Sequence, residues 1–382
     1  MSVIYLDNAA TTKICPEALA AMLPWLTENY GNASAVNKLG RDADEALRSA
    51  TAICAEGLNC QTNEIFCTSG ATESNNWVIK SAIELGKKKK KWHIITSAIE
   101  HPSVLNPIKT LEKQGYNVSY LPVDSSGQVD PADVEAVINE GTALVSIMYV
   151  NNEIGTAQKI KEVGEICRKY GVLFHTDATQ AISHLPVNVY DVDMLTLSGH
   201  KFHAPKGTGL LYVNRNIDLP PLIEGGKQQR GKRSGTENVA GIMGFAAAIK
   251  ETSKHMFDTS FIQAKLINGL TAIEGVTLNC GVENTLYGIY NFLFKDVNAE
   301  ALMLELEMRG IIVSAGSACS SGSLNASHVL KAIGLSDKDA LSCLRFSLSR
   351  FNTPQEIDRV LEIVPEAVEK IRRFGKIKNA KL

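Results

Sequence analysis

Short apolar runs alternate with helical patterns from residue 60 to residue 215, and this alternation leaves few possible architectures. The apolar runs predict strands at 64–69, 93–97, 117–123, 143–150, 172–177, 194–198 and 209–213. Helical patterns lie between many of them, at 74–85, 103–114 and 160–170. Strands that alternate with helices favour a mostly parallel sheet covered on both faces. Ligands bind such sheets beyond the carboxyl ends of the strands, so functional residues are expected there.

The pattern changes after Thr236. Residues 237–274 are expected to be helical, with a long helix near 240–258, and short strands follow at 288–294, 311–314 and 344–348. The last helix has a clear start, because Thr353 suits the N-cap, Pro354 the first turn and Glu356 the third position of a capping box. The sequence therefore predicts a large α/β domain and a smaller C-terminal α+β domain.

Composition excludes several classes of partner and location. The chain has 382 residues, 45% of them hydrophobic, and a formal net charge of −2, which gives no basic field for nucleic acid. No segment approaches the roughly 18 uninterrupted apolar residues of a membrane helix. The first residues, MSVIYLDNAATT, have neither a charged start nor an apolar run long enough for a secretory signal. We expect a cytoplasmic protein that binds neither membranes nor nucleic acid directly.

Eight cysteines are scattered along the chain, with no CxxC pair and no histidine at metal spacing. No metal site is expected, and buried reduced thiols explain most of them. Cys319 is the exception, since it sits in SAGSACSSGS, a stretch that can bury little apolar area. A thiol in such a loop is accessible, and its thiolate is a nucleophile. An incidental loop cysteine is the alternative.

Two residues that follow buried strands point to a carbonyl cofactor. Lys201 comes just after the strand DMLTLS, and lysine forms Schiff bases with carbonyl cofactors. Asp177 follows the apolar run VLFHT, where a carboxylate could pair with a protonated pyridine nitrogen. Taken alone, each has an ordinary alternative, a solvated lysine or a turn cap. Gln180 is close enough in sequence to reach a ring hydroxyl.

Three further strand ends carry polar groups. In FCTSGATES, the small residues Gly70, Ala71 and Thr72 would let a phosphate approach the start of a helix. Neither GxGxxG nor GxxxxGK[ST] is present, so neither a dinucleotide nor a nucleoside triphosphate is indicated. His101 could stack on a flat ring and move protons, and Asn152 is a neutral donor. A plain capped turn and a structural histidine are the alternatives.

Arg345, in LRFSLSRF, has the planar guanidinium that clamps a carboxylate with two hydrogen bonds. A surface salt bridge is its alternative. No single residue establishes the function, but all of these residues occur together in one chain.

Taken as a set, these motifs resemble the cysteine desulfurases of the NifS/IscS type, which are fold-type I pyridoxal-phosphate enzymes related to class V aminotransferases. The resemblance extends from YLDNAATT at residue 5 to RFSLSRFNTPQEID near residue 358. The most specific motifs occur in family order: TSGATES, EHPSVL, VNNEIG, DATQ, SGHK, RSGTEN and GSACSSGSL. With this fold we expect a large domain over 14–255 and a small one formed by 1–13 and 256–382.

The resemblance also implies a role for each matched residue. Lys201 would bind pyridoxal 5'-phosphate as a Schiff base, His101 would stack on the ring, and Asp177 would face the pyridine nitrogen. Asn152 and Gln180 would lie near the ring hydroxyl or the substrate. The phosphate would be held at the turn that contains Ala71, with contributions from Thr72, Ser198, His200 and, from a second subunit, Thr236. That last contribution implies a homodimer.

The implied reaction converts L-cysteine to L-alanine. Arg345 and Asn152 would hold the substrate carboxylate, Lys201 would move the Cα proton, and Cys319, in a loop at about 315–327, would receive the sulfur as a persulfide with the help of His101. An iron–sulfur scaffold, tRNA thiolation or nitrogenase maturation could take the sulfur onward. The alternatives are a selenocysteine lyase or an aminotransferase on the same fold, and a non-catalytic sulfur-transfer scaffold.

Some positions depart from the family pattern. Ala33 and Asn37 replace a proline and a histidine. Ala204 stands before Pro205, where the family pattern GPKG has glycine. GGKQQRG contains Lys227 and Gln229 where GGGQERG is usual. None of these departures falls on the lysine, the aspartate, the stacking histidine or the cysteine.

Overall fold

The structure, a computed structural model, describes residues 3–254, 260–279, 288–315 and 326–379. Cys280 and Cys319 lie outside these ranges. The strands are β1 (Ile4–Tyr5), β2 (Ile65–Thr68), β3 (His93–Ser97), β4 (Asn117–Leu121), β5 (Thr142–Ser146), β6 (Leu173–Asp177), β7 (Met194–Ser198), β8 (Gly209–Val213), β9 (Val276–Leu278), β10 (Ile289–Phe294), β11 (Ile311–Ile312) and β12 (Cys343–Ser347).

The helices of the described ranges surround these strands. They are α1 (Pro16–Thr27), α2 (Lys38–Gly57), α3 (Ala71–Lys88), α4 (Pro102–Lys113), α5 (Pro131–Val137), α6 (Ile160–Tyr170), α7 (Val239–Lys254), α8 (Ser260–Thr271), α9 (Ala299–Met308), α10 (His328–Ala332), α11 (Asp337–Ala340) and α12 (Pro354–Asn379). Among the residues described, no helix combines the length and the apolar character that crossing a bilayer requires.

The central sheet has seven strands in the order β2-β8-β7-β6-β5-β3-β4. The pairs β7–β6, β6–β5, β5–β3 and β3–β4 are parallel, whereas β8 runs antiparallel to both of its neighbours. The carboxyl ends of β2, β3, β5, β6 and β7 therefore meet at one edge. The prediction of a mostly parallel α/β sheet is confirmed.

Both faces of this sheet are buried. Neighbouring residues of a strand point to opposite faces, so Ile94 packs in one apolar cluster and Ile95 in another, and Leu144 and Val145 separate in the same way. One cluster includes residues of α3 and α4, and the other includes residues of α1, α2, α6 and α7. This burial on both faces explains why the strands read as continuous apolar runs rather than as alternating ones.

A separate apolar cluster lies in the C-terminal part. It joins α8, α9 and α12 to the antiparallel sheet β12-β10-β9 and to the short parallel pair β1–β11. Ile4 and Leu6 belong to this cluster although they stand at the start of the chain. The division into 14–255 and 1–13 with 256–382 is compatible with these clusters and stays a proposal.

Several predicted bounds needed correction. The helix expected at 74–85 is longer at both ends and continues through Lys88, since lysine is a good helix former and its charge is favourable at a helix C-terminus. The strand expected at 311–314 ends at Ile312. The capping box of the last helix is confirmed, because Thr353 N donates to Glu356 Oε2 at 2.9 Å and Glu356 N donates to Thr353 Oγ1 at 3.2 Å.

Candidate active site

A cleft of about 540 Å³ lies where the carboxyl ends of the central strands meet. Ten of the residues predicted for the site line it: Ala71, Thr72, His101, Asn152, Asp177, Gln180, Ser198, His200, Lys201 and Arg345. Thr236 is exposed and is not part of this lining, and Cys319 lies outside the described residues. Side chains far apart in the sequence thus converge on one volume that is large enough for a small cofactor.

Lys201 belongs to the short 3₁₀ turn Gly199–Lys201, directly after β7. Its Nζ donates to the carbonyl oxygens of Ala9 and Ala10, at 2.6 and 2.8 Å. Gln180 Nε2 donates to the same Ala9 carbonyl at 2.9 Å. The N-terminal segment therefore orients the amine, and Gln180 is held beside it.

Asp177, the last residue of β6, is buried, and both of its carboxylate oxygens have partners. Oδ2 accepts from Asn75 Nδ2 at 2.7 Å, and Oδ1 accepts from the backbone N–H of Thr179 at 3.0 Å. Asn75 Nδ2 also donates to Ser103 Oγ at 2.9 Å, and Ser103 Oγ lies 2.8 Å from His101 Nδ1. A chain of hydrogen bonds therefore ties the aspartate to the imidazole.

The hydrogen bonds of His101 define its tautomer. The backbone N–H of Ser103 donates to His101 Nδ1 at 3.1 Å, and a backbone N–H can only donate, so Nδ1 carries no proton. Burial lowers the pKa of His101, as do the charges of Lys201 and His328, while Asp177 raises it. The imidazole is thus neutral near pH 7, with its proton on Nε2.

One end of the cleft has the features of an anion site. The N-cap of α3 is Gly70, whose φ of 152° is a backbone conformation that favours glycine, and no side chain of the described residues caps this helix start. Free N–H groups and the helix dipole at such a start attract a phosphate. Ser198, which is buried, and His200 line the same cleft. Burial, together with the charges of Lys201 and Lys206, lowers the pKa of His200 to about 4.

Arg345 enters the cleft from β12 and is almost completely buried. Its Nη2 donates to Asp7 Oδ1 at 2.6 Å, and its Nη1 donates to the carbonyl oxygen of Asn152 at 2.8 Å. The alternative of a surface salt bridge is wrong, because the guanidinium of this pair is buried. Two partners fix the plane of the guanidinium, which is what clamping a carboxylate requires.

The segment that carries Thr236 is attached to the start of α3. Arg233 Nε and Nη2 donate to the two carboxylate oxygens of Glu73 at 2.8 and 3.1 Å. Glu73 Oε2 also accepts from the backbone N–H of Ser69 at 2.9 Å. This forked pair holds Arg233 beside the start of α3.

The departures from the family pattern have local roles. Asn37 is the N-cap of α2 and accepts from Gly40 N at 2.9 Å. Gln229 Oε1 accepts from the backbone N–H of Cys67 at 3.0 Å, and Arg230 Nη2 donates to the Ile65 carbonyl at 2.8 Å. GGKQQRG therefore satisfies backbone groups along the edge strand β2.

Sequence reasoning missed several residues of the cleft. The carbonyls of Ala9 and Ala10 hold the lysine, but a backbone acceptor has no signature in residue type. Asp7 could have been found as the only carboxylate of the polar segment DNAATT. His328 and Lys206 also line the cleft and would have required the structure. Within the described ranges, no cluster of three or more His, Cys, Asp or Glu side chains suits a metal ion.

Comparison with known proteins agrees with the resemblance inferred from the motifs. Residues 4–360 match the family described as aminotransferase class-V. Cysteine desulfurase IscS of Methanosarcina thermophila is 44% identical over 97% of this chain and 93% of its own length. Cysteine desulfurase 2 of Trichormus variabilis is 46% identical over 99% of this chain and 96% of its own.

Solved structures agree with these relatives. A NifS-like protein superposes with a TM-score of 0.90 and 36% identity, covering 96% of this chain and 99% of that one. The structure of SspA in complex with cysteine gives a TM-score of 0.82 and 37% identity, covering 92% and 100%. The resemblance predicted from the motifs is confirmed.

Proposed function

Because this chain belongs to the aminotransferase class-V family and is a cysteine desulfurase, we propose that Lys201, Asp177 and His101 carry its reaction in the cleft described above. One observation supports this most: an amine, a buried carboxylate and a neutral imidazole, from the ends of three strands, meet beside an uncapped helix start. That is the arrangement of groups that a pyridoxal-phosphate enzyme needs.

Enzymes of this family depend in general on pyridoxal 5'-phosphate, and the residues present fit that group. The start of α3 at Gly70, with Ala71, Thr72, Ser198 and His200, would hold the phosphate. Asp177 would face the pyridine nitrogen, His101 would cover a face of the ring, and Lys201 would form the covalent bond. When bound, the cofactor withdraws electrons from Cα and Cβ of the amino-acid substrate.

The residues of the chain would then divide the work. Arg345 would bind the carboxylate of L-cysteine, and Lys201 Nζ would remove the Cα proton and carry it. The carboxylate of Asp177 would keep the pyridine nitrogen, which it would face, protonated. His101, with its proton on Nε2, would exchange that proton with the substrate sulfur or the attacking thiol.

Cys319, which lies outside the described residues, would receive the sulfur. Its Sγ attacks the substrate sulfur as the Cβ–S bond breaks, and the S–S bond that forms leaves a persulfide on the enzyme and L-alanine as product. Cysteine and one enzyme thiol are consumed, and alanine and one enzyme persulfide are formed, so atoms and electrons balance.

Replacing Arg345 with lysine tests the substrate clamp. We expect the KM for L-cysteine to rise roughly 10- to 100-fold with a smaller change in kcat, because a charge-assisted forked contact is lost. Steady-state alanine formation measures both constants. Arg309→Lys, which changes an arginine paired with Glu305 and Glu366 far from the cleft, should leave KM unchanged. A fall in kcat with constant KM would contradict the carboxylate role.

A homodimer is part of the proposal. Thr236 is exposed, which suits a residue that reaches the phosphate of a second copy rather than its own. The apolar side chains of Leu19, Leu23 and Leu26 on α1 are 44, 50 and 59% exposed, and a second copy could cover them. Light scattering should give twice the mass of the 41.4 kDa chain.

The partners of the reaction follow from the relatives. One solved relative is described with cysteine bound, which supports L-cysteine as the substrate here. The IscS name of several relatives supports an iron–sulfur scaffold as the acceptor, with tRNA thiolation and nitrogenase maturation still open. Loading the enzyme with sulfur-labelled cysteine and following the label into cellular proteins identifies the acceptor. The cytoplasmic location stays a prediction.

The reaction itself is tested with purified enzyme, pyridoxal phosphate, L-cysteine and a thiol reductant. We expect alanine and sulfide in equal amounts. Transfer of the amino group to a keto acid without sulfide would favour an aminotransferase, and turnover confined to selenocysteine would favour a lyase. Protein that stays colourless with added pyridoxal phosphate would favour a non-catalytic scaffold.

A further inference from the structure

Glu100 lies next to the proposed stacking histidine and is completely buried. Its Oε1 accepts from Ser97 Oγ at 2.6 Å and from the backbone N–H of Met148 at 2.8 Å. Ser97 ends β3, and Met148 follows β5 on the way to Asn152. One carboxyl group therefore ties together two strand ends that carry cleft residues.

The other oxygen of this carboxyl group, Oε2, is also buried and has no hydrogen-bond partner among the described residues. A buried oxygen without a partner costs far more free energy when it carries charge. Burial accordingly raises the pKa of Glu100 to about 8, and the charge of Asp177 acts in the same direction, although the bonds from Ser97 and Met148 oppose it.

The titratable groups around Glu100 come from several elements. Asp177 approaches from the end of β6, and His101 is the next residue in the chain. His328, at the start of α10, has its Nε2 3.0 Å from the carbonyl oxygen of Glu100. Ionisation of Glu100 would add a second negative charge within electrostatic reach of Asp177.

We propose that Glu100 is a positioning residue that works as a neutral carboxylic acid and holds His101 and the loop to Asn152 in place beneath the cleft. The proposal rests on the function assigned above to His101. The group touches neither substrate nor cofactor, so it acts through the residues that it holds. Three observations support this role together: the hydrogen bonds to Oε1, the complete burial of the side chain, and the lack of a described partner for Oε2.

The protonation of Glu100 also makes stability depend on pH. Its pKa rises from 4.5 to about 8 on folding, so the folded chain holds more protons than the unfolded one between these values. Glu100 therefore makes its full contribution to the stability of the folded state below pH 4.5, and this contribution is lost as the pH rises through 8. Glu100→Gln removes this loss, and its melting temperature should fall less than that of the wild type between pH 6 and pH 9.

Two variants separate the neutral form from the charged one. Glutamine copies the neutral acid, so Glu100→Gln should keep kcat/KM for L-cysteine at pH 7 within about threefold. Glu100→Ala leaves Ser97 Oγ and Met148 N without a partner, and kcat/KM should fall roughly tenfold or more through misplaced site groups. Glu64→Gln is the matched control, because Glu64 is a buried glutamate that accepts from Gln61 and Arg215 outside the cleft. Glu64→Gln should leave kcat/KM for L-cysteine unchanged. It should also leave unchanged the ratio of kcat/KM at pH 7 to kcat/KM at pH 9.

Infrared spectroscopy provides a readout that does not depend on turnover. The holoenzyme at pH 7 should show a protonated carboxylic-acid C=O stretch that disappears with a midpoint near pH 8 and is absent from Glu100→Gln. If Glu100→Gln does not fold, Glu100→Asp and the titration of the wild-type band serve instead. The absence of this band, or a loss in Glu100→Gln as large as in Glu100→Ala, would overturn the proposal. A wild type that shows the band but makes no alanine would instead overturn the proposed function.

Discussion

Replacing Lys201 with alanine should lower kcat for alanine formation by roughly 10²- to 10⁴-fold, the usual contribution of a positioned proton-transfer group. With the proposed roles, the variant loses the amine that would bind the cofactor covalently and move the Cα proton. It should also lack the yellow absorbance that a lysine-bound cofactor gives. Stopped-flow and steady-state assays of alanine, together with an absorbance spectrum, measure both effects.

The control for this variant is Lys109→Ala, which removes an exposed lysine of α4. It should retain both the colour and the rate. If Lys201→Ala keeps its colour and loses less than tenfold in kcat, the lysine is not the group that binds the cofactor, and the assignment of the cleft fails.

Replacing Cys319 with serine should stop sulfur transfer while leaving the cofactor site intact. We expect release of sulfide and alanine to fall at least about 10³-fold, because the proposed covalent nucleophile is removed. The yellow absorbance should be unchanged. The protein should also no longer carry the additional sulfur atom that mass spectrometry detects on the wild type after one turnover.

The matched control is Cys60→Ser, which changes a partly exposed thiol in the part of the chain that forms the seven-stranded central sheet. Burial raises the pKa of Cys60 to about 12, so its thiolate is scarce near pH 7. This variant should behave as the wild type. A Cys319→Ser enzyme that still forms alanine from cysteine at the wild-type rate would favour an aminotransferase in which Cys319 is incidental.

Much of the central sheet could be predicted from the sequence. The strands at 93–97, 194–198 and 209–213 and the helix at 160–170 have the predicted bounds, because each is a buried apolar run or a strongly amphipathic helix between clear breaks. The reversal of β8 was not predicted. The ten residues 199–208 between β7 and β8 are too few for the crossover of about a dozen that parallel neighbours need. That spacing was a signal that could have been used.

Residues of the cleft were predictable where a strand end met a reactive side chain. The rule that ligands bind at the carboxyl edge found Asp177, Lys201 and His101 without knowledge of the strand order. It could not find contacts between distant segments, such as the ion pair of Arg345 with Asp7, 338 residues away in the chain. It also could not show that Glu100 is completely buried, because burial of a charged residue depends on packing from several elements.

The most direct test of the cleft is the identity of the lysine that binds the cofactor. The purified enzyme, loaded with pyridoxal phosphate, is reduced with borohydride to fix the bond, then digested and mapped by mass spectrometry. The pyridoxyl group should be found on Lys201. A pyridoxyl group on another lysine, such as Lys206 in the same cleft, or on none, would contradict the arrangement proposed here.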